Sequence, residues 1–291
     1  MNPDRPPARF LAAATPYDQA DWVLLGCPLE ETVTFRPGTR QGPTAIRPAS
    51  EGLETYSPLL RRDLEEVAFC DWGDLDLPPL PSASGRGDQE VSPLLDLIRN
   101  RAARIQDDGK RPFILGGEHL LTLPLVEAAL SRHPGLTVVQ LDAHADLRES
   151  YKGRRLSHAT VMRRVIERSE DLALVQAGVR SGTREEMDFA RRSTQVQPAT
   201  PDNLFAVLDA IATGPIHLSL DLDVLDPGTL PGTGTPEPGG WTFRELEGLI
   251  HRLKGCRVVS ADVVELSPGL DPTGVSAVTA ARCVREILLA C

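Results

Sequence analysis

Asp142, His144 and Asp146 alternate with alanines in the string Asp142-Ala-His144-Ala-Asp146, which directly follows the apolar run Leu136–Leu141. A second acidic string, His217-Leu-Ser219-Leu-Asp221-Leu-Asp223-Val-Leu-Asp226-Pro, ends another apolar run. A third, Ile114-Leu-Gly-Gly-Glu118-His119, closes a further one. If the first string stays extended, its three ligand-type side chains project to one side. Two carboxylates and an imidazole crowded at a buried strand end repel one another or pay for desolvation unless a cation sits among them. Asp221 and Asp223 repeat the problem. A pair of dications removes it, because every carboxylate then stays ionised. Four carboxylates and two imidazoles are hard-to-borderline ligands, suited to Mn²⁺ rather than to thiolate-loving metals. Two such ions can hold a hydroxide at neutral pH, the nucleophile of metal-assisted hydrolysis.

The elements that must position these strings are legible as short apolar runs: Trp22–Gly26, Val67–Asp71, Pro112–Gly117, Leu136–Leu141, Leu172–Gly178, Pro215–Leu220 and Arg257–Val264. Each is four to eight residues long with several β-branched members, as expected of strands buried in a parallel sheet. Between them lie amphipathic stretches. Val91–Asp108 carries apolar positions at Leu94, Leu95, Leu97, Ile98, Ala102 and Ile105, a helical pattern. Thr183-Arg-Glu-Glu186 and Thr242-Phe-Arg-Glu245 match the capping box and predict helix starts. Thr273–Leu289 reads as a closing helix. Strand–helix alternation along the chain predicts an α/β fold with a central parallel sheet covered on both faces, residues 1–291 forming a single domain. In such sheets ligands bind beyond the carboxyl ends of the strands, where all three strings fall. The stretch Pro78–Asp88 reads as a loop, and Pro227–Gly240 as a long irregular segment of the kind that carries function.

The 291 residues are 41% hydrophobic and 25% charged, an ordinary globular composition. A net charge of −10 disfavours nucleic acid and anionic membrane as partners and suits a cationic substrate. No apolar stretch approaches the roughly 18 residues needed to span a bilayer. The first twenty residues lack the basic and apolar regions of a signal peptide. The five cysteines are odd in number and show no CxxC spacing, which argues against a disulfide framework and fits a reducing cytoplasm.

From about Gly26 to Leu289 the sequence resembles the ureohydrolase family of arginases, agmatinases and their relatives. Gly116–His119, Asp142–Asp146 and Ser219–Pro227 resemble that family's three metal strings. Arg36–Arg47, Gly232–Gly240 and Asp262-Val-Val-Glu265-Leu-Ser-Pro268 are similar to motifs of the agmatinase branch. The resemblance implies a three-layer α/β/α sandwich, assembly as a homotrimer or homohexamer, and two Mn²⁺ per chain bound by His119, Asp142, His144, Asp146, Asp221 and Asp223. It implies that His158, in a Ser-His pair, shuttles a proton, and that Glu265 contacts the guanidinium of a small cationic guanidino substrate. The expected reaction is hydrolysis of agmatine to putrescine and urea. The sequence departs from the family at Glu118, where an aspartate that orients metal ligands is expected, and at Ala159, where agmatinases commonly carry glycine. Ser-His-Ala also occurs in relatives acting on N1-aminopropylagmatine. The loop Leu147–Leu156 is expected to line the pocket mouth, with Glu149 a candidate to meet a distal ammonium. Arg148, Lys152, Arg154 and Arg155 in the same loop would instead suit a guanidino acid. Deacetylases share the fold but hold one zinc, and a scaffold protein would be expected to lose ligands.

Overall fold

The computed structural model describes residues 8–79, 88–200 and 203–291. Their centre is a sheet of eight parallel strands: β1 (Trp22–Cys27), β4 (Phe69–Asp74), β5 (Arg111–Gly116), β6 (Thr137–Leu141), β7 (Ala173–Ala177), β8 (Val196–Ala199), β9 (Pro215–Asp221) and β10 (Arg257–Val264). They lie in the order β4-β1-β5-β10-β9-β6-β7-β8. The two remaining strands, β2 (Tyr56–Ser57) and β3 (Arg62–Asp63), form a small antiparallel ribbon. All seven expected runs are strands. The short β8 has no counterpart among them. It lies at the sheet edge with Gln197 and Pro198 in it, and an edge strand need not be apolar on both faces.

Alternation along the strands feeds two apolar layers. In β1, Trp22 and Leu24 face one layer while Val23, Leu25 and Cys27 face the other. Helices α1 (Gly42–Ser50), α6 (Leu204–Ile211), α7 (Phe243–Arg252) and α8 (Val275–Ala290) cover the first face. Helices α2 (Asp88–Asp107), α3 (Thr122–Leu130), α4 (Val161–Ile166) and α5 (Arg184–Arg192) cover the second. The result is the expected three-layer α/β/α sandwich. Both capping boxes form: Thr183 opens α5 and Thr242 opens α7. Residues 80–87 of the expected loop at 78–88 lie outside the described residues. The segment 227–240 has no regular helix or strand, as expected. Among the described residues no helix is long and apolar enough to cross a membrane, and all five cysteines are free.

Strand β9 departs from this two-sided apolar pattern. Ile216, Leu218 and Leu220 enter the first layer, whereas His217, Ser219 and Asp221 stand on the opposite face, all buried. With Ser260 and Asp262 of the neighbouring β10 they make a polar seam through the second layer. A buried seam of this kind is stable only when its members satisfy one another. His217 Nδ1 lies 2.7 Å from Ser260 Oγ, His217 Nε2 lies 2.9 Å from Asp262 Oδ2, and Ser219 Oγ donates to Asp262 Oδ1 at 2.8 Å.

Candidate active site and metal centre

A cavity of about 500 Å³ opens beyond the carboxyl ends of the strands. His119, His144, Asp146, Asp221, His158 and Glu265 are among the residues that line it. The turn after β5 carries His119 at the start of a 3₁₀ segment leading into α3. Gly117 makes that turn possible: a Cβ there would lie 2.0 Å from the carbonyl oxygen of Leu29. Glycine at 178, after β7, likewise clears the way for Asp142, whose carbonyl oxygen would sit 2.9 Å from an added Cβ.

All six expected ligands meet. His119 Nδ1 lies 3.1 Å from Asp142 Oδ2, 3.1 Å from Asp146 Oδ2 and 3.3 Å from Asp221 Oδ2. His144 Nδ1 lies 2.9 Å from Asp223 Oδ2 and 3.6 Å from Asp142 Oδ1. Five of the six form two overlapping sets, His119–Asp142–Asp146 and Asp142–His144–Asp223, each with ligand atoms within 4.8 Å of one another, and Asp221 adjoins His119. Asp142 belongs to both sets, so two cations held there would share it.

The convergence does not come from an extended strand, as the spacing suggested. Strand β6 ends at Leu141. Asp142 Oδ1 accepts the His144 backbone N–H at 2.6 Å, and Asp146 has a left-handed φ of 53°. The string therefore coils over the strand end and turns its ligands inward. Asp221 closes β9, while Asp223 sits in the 3₁₀ turn that follows.

The donor set fits two divalent cations. His119 Nδ1 is buried and, among the described residues, makes no hydrogen bond. Its Nε2 lies 3.0 Å from Ser219 Oγ, whose own proton goes to Asp262. Nε2 must then donate, which leaves the Nδ1 lone pair facing the three carboxylates, the tautomer a metal ligand needs. Burial pushes Asp146 up to about 7, with repulsion from Asp142 adding to it. Burial and the Asp223 and Asp142 charges raise Asp221 well above the carboxylate range. Against the cost of burial, Asp142 and Asp223 hold His144 up at about 12. Protons are drawn to this cluster because positive charge is required there.

Glu265 and His158 face this centre. Glu265 Oε1 accepts the His119 backbone N–H at 2.7 Å, and burial pushes its carboxyl up to about 8. His158 follows Ser157, which caps its 3₁₀ turn ahead of α4. Burial lowers His158 to about 4. Tyr151 stands edge-on to its ring at 5.7 Å.

Glu149 is not among the cavity-lining residues. Its carboxylate pairs with Arg155, Arg163 and Arg164, three guanidinium groups that draw it away from the mouth. Arg148 and Tyr151 are the members of this loop that reach the cavity, and Phe35, 69% exposed, stands at its rim. Ala159 lines the cavity too. Glu118 also departs from expectation. Its carboxylate accepts the backbone N–H groups of Glu31 and Thr32 and the Thr32 hydroxyl, so it fixes the loop after β1 rather than the ligand side chains.

Thr32 and Arg180 carry no motif that sequence reasoning could weigh. Arg180 donates to the carbonyl oxygens of Asp223 and Glu237, each at 2.7 Å, tying the 227–240 segment to the ligand turn. Ser219 and His217 were legible in principle, since their period of two with Asp221 puts them on one face. A further acidic–histidine group, Glu247–His251–Glu286, lies apart on α7 and α8. Arg282 reaches both of its carboxylates at 2.9 Å and Arg285 pairs with Glu286, so guanidinium groups already supply the positive charge there.

The arginase family model matches residues 20–290. The chain is 38% identical over 286 residues to an agmatinase of Bacillus subtilis, covering 96% of this chain and 95% of that protein. It is 35% identical to an N(1)-aminopropylagmatine ureohydrolase of Thermococcus kodakarensis, over 89% of this chain and 88% of that one. The agmatine ureohydrolase structure of Thermoplasma volcanium superposes with a TM-score of 0.84 at 28% identity, covering 99% of this chain and 95% of that one. A match over nearly the whole length places the chain in the arginase family.

Proposed function

We propose that this chain is a binuclear manganese ureohydrolase that cleaves agmatine to putrescine and urea, acting in the cytoplasm. The observation that carries the reading is the convergence of His119, Asp142, His144, Asp146, Asp221 and Asp223 at the floor of a cavity that Glu265 and His158 also line.

A guanidinium is a poor electrophile because its charge is spread over three nitrogens. Its hydrolysis needs a strong nucleophile, exact placement of the carbon and a proton for the departing amine. Two divalent ions bound by the six ligands would supply hydroxide at neutral pH. Glu265 places the substrate: an ionised carboxylate accepts paired N–H bonds from the planar guanidinium. Its raised pKa means that the arriving cation also favours its ionised form. The bond to the alkyl-bearing nitrogen breaks only once that nitrogen is protonated: His158 would take the proton of the added hydroxyl and hand it to the departing amine, leaving urea and the free amine. General acid catalysis of this kind contributes roughly 10²–10⁴-fold. The chain's acidic balance favours the approach of a cation.

Two observations favour longer or differently ended substrates. Ala159 lines the cavity where agmatinases commonly have glycine, which supports N1-aminopropylagmatine as the second reading. Arg148 at the wall would meet the carboxylate of a guanidino acid. Urea release across agmatine, aminopropylagmatine, 4-guanidinobutyrate and arginine, with Mn²⁺ titrated in, separates these. Turnover of agmatine below that of another member of the panel would reassign the substrate. Absence of urea from all of them would remove the enzymatic reading.

A further inference from the structure

We propose that Thr32 and Glu118 act as positioning residues that fix His158 in one tautomer, with the proton on Nδ1 and the lone pair on Nε2. The consequence for catalysis rests on the reading of His158 as the proton shuttle. The tautomer itself follows from the hydrogen bonds around Thr32 with Glu118 ionised.

Thr32 is buried in the loop after β1, and its hydroxyl has one hydrogen and two lone pairs. That hydrogen goes to Glu118 Oε2 at 2.6 Å. Glu118 acts as an acceptor towards its other neighbours as well. The Glu31 backbone N–H reaches Oε1 at 2.9 Å, and the Thr32 N–H lies 2.9 Å from Oε2 and 3.1 Å from Oε1. The Thr32 oxygen can then only accept on its remaining side. There it accepts the His158 backbone N–H at 3.0 Å and faces His158 Nδ1 at 3.2 Å. An oxygen lone pair opposite a bare ring nitrogen would be repulsive, so Nδ1 carries the hydrogen. Glu118 Oε2, 3.9 Å from Nδ1, reinforces that polarity. Ser157 Oγ is the competing partner at 3.4 Å, a longer contact than that of Thr32.

A neutral imidazole has one ring proton, so Nε2 is left bare, and among the described residues it has no hydrogen-bond partner. Since His158 lines the cavity, Nε2 is the nitrogen available to take up a proton and pass it on. The bond between Thr32 and the His158 backbone also holds the ring's own chain position, so orientation and tautomer are set by the same hydroxyl. Glu118, the residue that departs from the family's aspartate, thereby serves His158 rather than the metal ligands.

The test is a long-range proton–nitrogen correlation spectrum of the full chain carrying ¹⁵N-histidine, loaded with diamagnetic Zn²⁺, with His158 assigned through His158→Asn. The wild-type spectrum should show the Nδ1–H pattern for His158. Thr32→Ser should keep it, and Thr32→Val should convert it to a mixture or to Nε2–H. In parallel, Thr32→Val should lower kcat about tenfold or more with KM within about twofold, and Thr32→Ser should restore kcat to within about threefold. An Nε2–H pattern in the wild type, or an unchanged pattern in Thr32→Val, overturns the proposal. If Thr32→Val does not fold, the wild-type spectrum decides alone. A chain that shows the Nδ1–H pattern but hydrolyses no guanidine keeps the positioning and loses the assigned reaction, so the two failures are distinguishable.

Discussion

Glu265 accepts the backbone N–H of His119 at 2.7 Å, so the carboxylate assigned to the substrate is bonded to the main chain of a metal-ligand candidate. The two residues follow β5 and β10, which pair directly through Leu115 and Val263. Substrate placement and ligand placement therefore share one hydrogen bond across two neighbouring strand ends, and the predictions below probe that shared scaffold.

Glu265 should leave a signature in stability. Its folded-state pKa is raised to about 8 from an ordinary 4.5, burial being the main cause. Between those values the folded chain holds a proton that the unfolded chain has released, so this group's contribution falls as pH rises through the window. Metal-free Glu265→Gln should match the wild type in Tm near pH 4.5 and exceed it near pH 8. Equal Tm differences at the two pH values would remove the assigned shift.

Divalent ions should stabilise the fold strongly. Without a cation the burial of four carboxylates is relieved by protonation, by the two imidazoles and by a few N–H donors. A ligand at a hundredfold its Kd adds about 2.7 kcal/mol, roughly 5–10 °C in Tm for a chain of this size. Chelation followed by Mn²⁺ titration in a thermal melt measures it, and an unchanged Tm would contradict the assigned centre.

Single ligands should separate the two sites. His144→Ala removes a member of the Asp142–His144–Asp223 set and leaves His119–Asp142–Asp146 intact. Bound metal should fall from two per chain towards one and urea formation by more than about a hundredfold. Metal analysis of the purified variant beside a urea assay tests both at once. Two tightly held ions in His144→Ala would refute the division.

Arg180→Ala should damage the site without touching a ligand side chain. Its guanidinium holds the carbonyl oxygens of Asp223, Val224 and Glu237. Losing several such bonds should cost about 2–4 kcal/mol of stability and weaken metal binding about tenfold. Lysine should not rescue it, since an ammonium cannot replace a planar fork. Denaturant titration and Mn²⁺ affinity report the two effects separately.

The cluster of candidate ligands was legible because its members stand at or just beyond the ends of apolar runs, and strand ends in a parallel sheet share one side of the molecule. How they converge was not legible. The spacing of Asp142, His144 and Asp146 suggested an extended segment, whereas Asp146 reaches the centre through a left-handed φ of 53°, and Glu265 adopts 67°. Such conformations are costly for residues other than glycine and are stabilised only by surrounding structure, so local sequence gives no sign of them. Glu149 was misplaced for a similar reason: its three arginine partners come from the loop and from α4, and spacing within the loop says nothing of α4. Thr32 lies 126 positions from His158, and Arg180 acts through carbonyl oxygens that every residue possesses. Neither relationship can be read before the chain is folded.

Strand β10, the last strand in sequence among the described residues, lies between β5 and β9. Residues 257–264 therefore join two half-sheets, β4-β1-β5 and β9-β6-β7-β8. His119 belongs to one half, and Asp142, His144, Asp146, Asp221 and Asp223 to the other. The Asp142–His144–Asp223 set thus lies within one half, whereas His119–Asp142–Asp146 is completed only where β10 joins the two halves.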